Sequence, residues 1–348
     1  MTKGRIILLI FAISLSLVSA GVYFLSFGIS EKIYDKAMCY YIARHLTDGA
    51  DTFEEKIASI RGFVHENVHP IAGYPNRLDT VGIEKLTSGI GWCDQQSRVF
   101  MEIASGAGIA TRLLFLKIEG GASPHTVAEA LAPDGRWVIV DTGYDLDLRN
   151  RSGSCASQDE IRMDPAIVSE NEKVRRRAPT ETRWADGKYL SIYANTPEYI
   201  VTRKRMKFDI LKAVPLSWIR PFTAAIKDRY LDRTLTPLKD IYASAMVRAR
   251  GYQLLGHYKK SDALYEKIIA SSGDYLLARK AEFYYALSLK ERNMHSEALG
   301  YITDTLRTHP GHPYLKYLYR MRASIFDGLG RREEAEADLA GIGYDLDA

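Results

Sequence analysis

The chain of 348 residues has few cysteines and almost no net charge. It contains three cysteines, and its 47 Lys and Arg against 43 Asp and Glu give a formal charge of only +4. Three cysteines are too few for a disulfide scaffold, and a nearly neutral chain lacks the basic balance of a nucleic-acid binder. The 46% of hydrophobic residues excludes disorder as the main state. We therefore expect a globular protein with no nucleic-acid partner.

Motifs for phosphate and metal ions are also missing. Gly120-Gly121 is not followed by the Gly-Lys-Ser/Thr of a phosphate-binding loop. His65 and His69 are four residues apart, but Pro70 and the loop context disfavour a helical metal pair. We therefore predict neither a metal nor another cofactor.

An uncharged run extends from Ile6 to Ser30, after Lys3 and Arg5. A helix of this length crosses a hydrocarbon core of about 30 Å, and the basic flank predicts that the main body lies outside the cytoplasm. We predict that residues 1–30 form a single-pass anchor in the inner (plasma) membrane. A cleaved signal peptide, with Val18-Ser19-Ala20 as its cleavage site, is the alternative.

We predict that residues 31–150 form a catalytic domain of mixed helix and strand. Helices are expected at residues 33–46 and 52–66, a long loop at 69–91, and a further helix from Cys93 to about Gly106. Three strands follow, at residues 111–118, 125–131 and 136–141. Asp145 and Asp147 come after them and are expected in a solvated loop.

Cys93 stands at the predicted start of a helix. Backbone N–H groups are unpaired there and the helix dipole is positive, so a thiolate is stabilised and the thiol pKa falls. These are the conditions for a cysteine nucleophile; a core cysteine that happens to begin a helix is the alternative. Cys39 and Cys155 remain, either as a disulfide or as two unpaired thiols.

A base for this nucleophile is predicted on the following hairpin. His125 begins one strand, Asp141 ends the next, and Ala132-Pro133-Asp134-Gly135 is a turn signal. If Leu131 pairs with Gly135, His125 lies directly opposite Asp141, with Cβ atoms about 4.5–5.5 Å apart. Asp141 would then orient His125, which in turn stabilises the Cys93 thiolate.

Three motifs carry a resemblance to the transglutaminase-like superfamily, over about residues 51–145. They are Gly91-Trp92-Cys93-Asp94-Gln95, Ser123-Pro124-His125-Thr126-Val127 and Trp137-Val138-Ile139-Val140-Asp141. The resemblance implies an α+β, papain-like core in which the helix that bears the cysteine packs on an antiparallel sheet. It also implies Cys93 as nucleophile, His125 as general base and acid, and Asp141 as its orienting carboxylate. The Cys93 N–H would be an oxyanion donor, and Trp92 would either wall the acyl site or merely pack.

The resemblance leaves the reaction open. A compact core with an anchor is more similar to bacterial membrane-bound members than to the large animal transglutaminases. This implies a periplasmic cysteine peptidase or amidase that cleaves a peptide or protein substrate through a Cys93 thioester. One alternative is an amine-dependent glutamine acyltransferase. Another is an adaptor of an envelope or polysaccharide system in which the catalytic residues are vestigial.

The segment 240–348 repeats with a period of 37 residues. Ala249, Ala286 and Ala323 are spaced in this way, as are Gly256, Asn293 and Gly330. Small residues allow helices to approach closely, and Gly or Asn closes a turn in the left-handed conformation. We predict helical hairpins that resemble tetratricopeptide repeats and that bind a protein partner. Between them and the catalytic domain, residues 151–239 form a basic connecting region that is partly helical.

Overall fold

The computed structural model of the protein describes residues 16, 38–71, 83–117, 123–171, 174, 191–193, 200–202 and 241–341. The predicted anchor lies outside this part of the chain, apart from Ser16. Within the described residues, no helix is long and apolar enough to cross a membrane. The anchor therefore stays a prediction.

The described residues that precede the sheet include four helices, α1 (38–47), α2 (Phe53–Asn67), α3 (Ile83–Ser88) and α4 (Cys93–Gly106). Helix α2 begins with a capping box, in which Thr52 Oγ1 accepts the Glu55 N–H at 3.2 Å and the Glu55 carboxylate accepts the Thr52 N–H at 2.9 Å. This confirms the predicted helix start. The prediction of an uninterrupted loop over residues 69–91 was wrong, because α3 lies within it. Leu86 of α3 is fully buried, and this tertiary contact supports a helix that local composition did not indicate.

In the described residues the sheet has four antiparallel strands in the order β3-β2-β1-β4. They are β1 (Thr111–Leu116), β2 (His125–Leu131), β3 (Trp137–Val140) and β4 (Ile200–Thr202). One face packs on α4, and Leu113 and Ala128 of this face belong to a hydrophobic cluster that also includes residues of α1 and α2. The other face contributes Val127 and Ile139 to a second cluster. The sheet is therefore buried on both sides, which holds the ends of β2 and β3 rigidly.

The second cluster draws on the segment that follows β3. Two short helices, α5 (Gln158–Met163) and α6 (Ala166–Ser169), contribute Ile161 and Val168, and Tyr193 is buried there as well. Part of the predicted connecting region thus covers the sheet of the catalytic domain.

The hairpin of β2 and β3 has the predicted three-residue turn, but in a different place. Ala132 donates its N–H to the carbonyl of Arg136 at 2.9 Å, and Leu131 pairs with Trp137. The prediction that Leu131 pairs with Gly135 was therefore wrong by two positions. Gly135, at φ 88°, takes the left-handed position at the end of the turn, and this fixes the observed register.

The C-terminal region consists of six helices in the part that the structure describes. They are α7 (Ile241–Leu254), α8 (Tyr258–Ser271), α9 (Tyr275–Glu291), α10 (His295–Thr308), α11 (Leu315–Gly328) and α12 (Arg332–Gly341). Gly256, Asn293 and Gly330 have φ of 73°, 58° and 73°, which confirms the predicted left-handed turns. The helical character is as expected, whereas the assignment to tetratricopeptide repeats stays a prediction.

Candidate active site

Cys93 is the first residue of α4 and is half-buried. Trp92 precedes the helix, and its N–H donates to Gln95 Oε1 at 2.9 Å. The N–H groups of Cys93 and Asp94 belong to the first turn of α4, where a helix has no internal acceptors for them. Burial opposes ionisation of Cys93, but the hydrogen bond and charge of His125 and the backbone N–H of Thr126 outweigh it, so the pKa of this thiol is lowered.

His125 and Asp141 form a buried pair at the ends of β2 and β3. His125 Nε2 lies 2.9 Å from Asp141 Oδ2, and the residues are 2% and 0% exposed. Burial opposes both charges, but their mutual attraction and hydrogen bond are stronger. The pKa of His125 is raised to about 10, and that of Asp141 is lowered to about 2. The structure thus brings Cys93, His125 and Asp141 together, and the direction of each pKa shift favours the thiolate, the imidazolium and the carboxylate.

The observed register explains how this pair meets. Val140 pairs with Ala128, so the next position, Asp141, lies opposite Val127 rather than His125. A shift of two residues keeps every side chain on its predicted face, because side chains alternate along a strand. His125 and Asp141 are therefore diagonal neighbours, and the imidazole of His125 is long enough to reach the carboxylate.

Two tyrosines support the carboxylate of Asp141, and the sequence interpretation missed both. The hydroxyl of the buried Tyr193 donates to Asp141 Oδ2. The N–H of Tyr144 donates to Asp141 Oδ1 at 3.0 Å, and its ring lies 5.0 Å from that of His125. Tyr144 follows Asp141 by three residues, a spacing that suits an Asp side chain bonded to a nearby N–H. Tyr193 had no such local signal.

Gly143 and Gln96 lie against the same pair. A Cβ atom on Gly143 would be 3.0 Å from His125 Cε1, 3.4 Å from Asp141 Oδ1 and 3.5 Å from Gln96 Oε1. Gln96 is buried, and its Nε2 donates to the carbonyl of Val68 at 2.6 Å. The imidazole therefore occupies space that is available only because residue 143 has no side chain.

Trp92 is 52% exposed beside Cys93. The indole is therefore a surface next to the thiol rather than a core side chain. Its role as a wall for an acyl group stays a prediction.

The structure also bears on two further expectations about this region. Asp145 and Asp147 lie in the loop after β3, but they are paired as well as partly solvated, because Arg61 binds them at 2.7 Å and 2.9 Å. Cys39 and Cys155 are both buried and are not joined by a disulfide, so the alternative of two separate thiols is the one observed. Among the described residues, no group of three or more His, Cys, Asp or Glu is arranged to hold a metal ion.

A comparison with family models gives a match over the region that contains these residues. Residues 40–142 match the family model described as the transglutaminase-like superfamily, and the match includes Cys93, His125 and Asp141. Comparisons with curated proteins and with solved structures gave no match. This part of the chain is therefore similar to the transglutaminase-like superfamily, whose members are generally cysteine-dependent enzymes.

Proposed function

We propose that this protein is a cysteine peptidase or amidase that cleaves a carboxamide or peptide bond through an acyl-enzyme on Cys93. The observation that carries the proposal is the geometry: His125 hydrogen-bonds Asp141 at 2.9 Å and also contacts Cys93, which begins α4, and against burial this contact lowers the pKa of the thiol. A thiolate is the reactive form of cysteine, and an imidazolium held by a carboxylate is a proton donor for a leaving amine.

The reaction proceeds in two steps. The Cys93 thiolate attacks the carbonyl carbon, and the oxygen gains negative charge near the N–H groups that begin α4. His125 gives its proton to the leaving nitrogen, the C–N bond breaks and a thioester remains. His125 then takes a proton from a water molecule, whose oxygen attacks the thioester, and the carboxylic acid leaves as the C–S bond breaks. Asp141 stabilises the imidazolium and fixes the ring orientation throughout.

The full-length protein and a Cys93→Ala variant test this proposal on a library of fluorogenic peptide amides. We expect Cys93→Ala to lower turnover by at least about a thousandfold, because the reaction loses its nucleophile. Cys39→Ala is the matched control, since Cys39 is a buried thiol of α1 that forms no disulfide. If Cys93→Ala retains turnover of a substrate that the wild type cleaves, the proposal is wrong.

Transfer to an amine is the second outcome of this experiment. A thioester on Cys93 reacts with water or with a primary amine, and the residues described here act in the same way in both reactions. A labelled primary amine is therefore added to the assay. Incorporation of the label in place of hydrolysis would identify a glutamine acyltransferase.

We also propose that residues 6–30 anchor the domain at the outer face of the inner membrane. The uncharged run after Lys3 and Arg5 supports this topology. Protease added to intact spheroplasts is expected to degrade the domain, and the protein should pellet with membranes. If it fractionates as a protease-protected soluble protein, the proposed location is wrong.

If deletion of residues 240–348 abolishes cell function while Cys93→Ala preserves it, the protein is an adaptor.

A further inference from the structure

The chain that leads into α4 is held by the C-terminal helices. His69 and Ile90 form a parallel bridge, in which the His69 N–H donates to Gly89 and the Gly91 N–H donates to His69, both at 3.0 Å. This bridge joins the end of α2 to the two residues before Trp92. Arg250 of α7 and Tyr284 of α9 contact the residues that flank or form this bridge.

Tyr284 of α9 is fully buried and fits against Gly89. Its hydroxyl lies 3.0 Å from the Gly89 carbonyl and 3.3 Å from the Asn67 carbonyl. A Cβ atom on Gly89 would be 1.7 Å from the Tyr284 oxygen, and Gly89 has φ of 69°. Only glycine fits this position, so the contact between the helical region and the bridge is direct and specific.

Arg250 of α7 is 0% exposed and contacts three neutral acceptors. Its guanidinium donates to Asn67 Oδ1 at 2.8 Å, to the Leu86 carbonyl at 3.4 Å and to Gln253 Oε1 at 2.7 Å. It also stacks 3.9 Å from the centre of the Tyr284 ring, while its Nε has no hydrogen-bond partner among the described residues.

The interaction of Arg250 with the carboxylate of Glu291 is indirect, through Gln253, whose amide donates to Glu291 Oε2 at 2.9 Å. A buried guanidinium whose direct acceptors are neutral is costly, so Arg250 is a poor choice for stability alone. The planar guanidinium instead fixes the relative position of Asn67, at the end of α2, and Leu86, in α3, because it donates hydrogen bonds to both. Asn67 precedes His69 and Leu86 precedes Ile90, so the two residues flank both segments that form the bridge. Arg250 and Tyr284 therefore define where the bridge lies.

The bridge in turn determines where Cys93 lies. Gly91 is the second residue before Cys93, and a Cβ atom there would be 2.9 Å from Val68 Cγ1. From the other side, the Val68 carbonyl accepts the amide of Gln96 of α4 at 2.6 Å. A displacement of residues 67–69 thus moves the first turn of α4 relative to His125.

We propose that Arg250 and Tyr284 are positioning residues for Cys93, so that the C-terminal helices complete the active centre rather than only recruit a partner. The inference rests on the proposed function, because it assumes that Cys93 is the nucleophile. It predicts that loss of these contacts changes the ionisation and reactivity of Cys93 in a protein that is still folded.

The test measures alkylation of Cys93 by iodoacetamide against pH in the full chain, by mass spectrometry of the Cys93 peptide. Tyr284→Phe removes one hydroxyl and keeps the ring, and the matched control is Tyr285→Phe on the same helix, whose hydroxyl lies 3.4 Å from Glu266. We expect Tyr284→Phe to lower the rate at pH 7 about three- to tenfold, the factor that corresponds to one net hydrogen bond. The midpoint of the profile should move to higher pH, while Tyr285→Phe should match the wild type.

Arg250→Met and Arg250→Lys extend the test. We expect Arg250→Met to alter the profile at least as much as Tyr284→Phe, and Arg250→Lys to restore it only in part because an ammonium lacks the fork. Circular dichroism identifies the folded variants, and if Arg250→Met does not fold, Tyr284→Phe decides alone. A wild-type profile in a folded but less stable Tyr284→Phe would overturn the inference. Failure of the proposed function has a different signature, namely a Cys93→Ala variant that still turns over substrate.

Discussion

His125 Nε2 contacts Asp141 Oδ2 at 2.9 Å in a diagonal pair across β2 and β3, and both groups are shielded from solvent. Each partner holds its charge more strongly in this site than in an unfolded chain. Stability must therefore change with pH at both ends of the range, because the folded and unfolded states bind protons differently.

The alkaline side gives the first prediction. The pKa of His125 is raised to about 10 by Asp141 and Cys93, against burial, whereas an unfolded His titrates near about 6.5. Its stabilising contribution is complete below the unfolded pKa and disappears as the pH rises through the folded one. We expect the free energy of unfolding of the wild type minus that of His125→Gln to decline from about pH 6.5 to about pH 10. Urea titrations across this range measure it.

On the acid side the sign is reversed. The pKa of Asp141 is lowered to about 2, since the attraction of His125 and the hydrogen bond from Tyr193 outweigh burial. Its contribution is present above the unfolded pKa of about 3.9 and is lost as the pH falls through about 2. The free energy of unfolding of the wild type minus that of Asp141→Asn should therefore decline only below about pH 4. Curves that are flat in both ranges would contradict the buried ion pair.

Substitution of Tyr193 tests the support of Asp141. Tyr193→Phe removes the hydroxyl that donates to Oδ2. A hydrogen bond to a charged group contributes about 1.5–3 kcal/mol, so stability should fall by that amount and turnover by about tenfold. Thermal unfolding and the kinetic assay measure both effects. Tyr41→Phe is the control, since Tyr41 is exposed on α1 and should tolerate the change. Unchanged turnover in Tyr193→Phe would show that the hydroxyl does not support the pair.

The core of this site could be predicted from local sequence patterns. The Gly-rich approach to Cys93 indicated a helix start, and the even separation of His125 and Asp141 in a hairpin placed them on one face. The register itself depended on which residue of Ala132-Pro133-Asp134-Gly135 begins the turn. Gly135 in the left-handed position settles it, and a turn rule with glycine last would have found this.

Contacts between distant parts of the chain could not be predicted in this way. Tyr193 is 52 residues from Asp141, and Tyr284 is 195 residues from Gly89. Neither tyrosine belongs to a motif, and both are placed by packing. Helix α3 is a similar case, because burial of Leu86 rather than helix propensity stabilises it.

Gly143 provides a steric test of the imidazole position. In Gly143→Ala the new methyl group would be 3.0 Å from His125 Cε1, closer than normal packing allows, so the ring must move by a few tenths of an ångström. Since displacements of this order misalign proton transfer, we expect turnover to fall by about 10- to 100-fold. Gly300→Ala in α10 is the control, because a Cβ atom there meets no other atom within 4 Å. Equal turnover in the two variants would contradict the close fit.

The last prediction concerns the ion pair that ties the chain after Asp141 to α2. The Arg61 side chain is 9% exposed and binds Asp145 at 2.7 Å and Asp147 at 2.9 Å. Removal of the cation takes the ion pair with Arg61 away from Asp145, whose side chain is only 17% exposed. We expect Arg61→Met to cost about 2–4 kcal/mol in the free energy of unfolding, since a largely buried carboxylate then loses part of the compensation for its desolvation.

An exposed pair in the segment that follows is the control for this variant. Arg151 lies 2.9 Å from Asp164, but its side chain is 90% exposed. Because solvent screens such a pair, Arg151→Met should cost at most about 1 kcal/mol. The double variant Arg61→Met/Asp145→Asn separates pairing from packing: it should recover part of the Arg61→Met loss, because the stranded carboxylate is gone. If the two arginine variants unfold at the same urea concentration, burial does not strengthen the Arg61 pair, and the segment after Asp141 is held by its hydrophobic contacts instead.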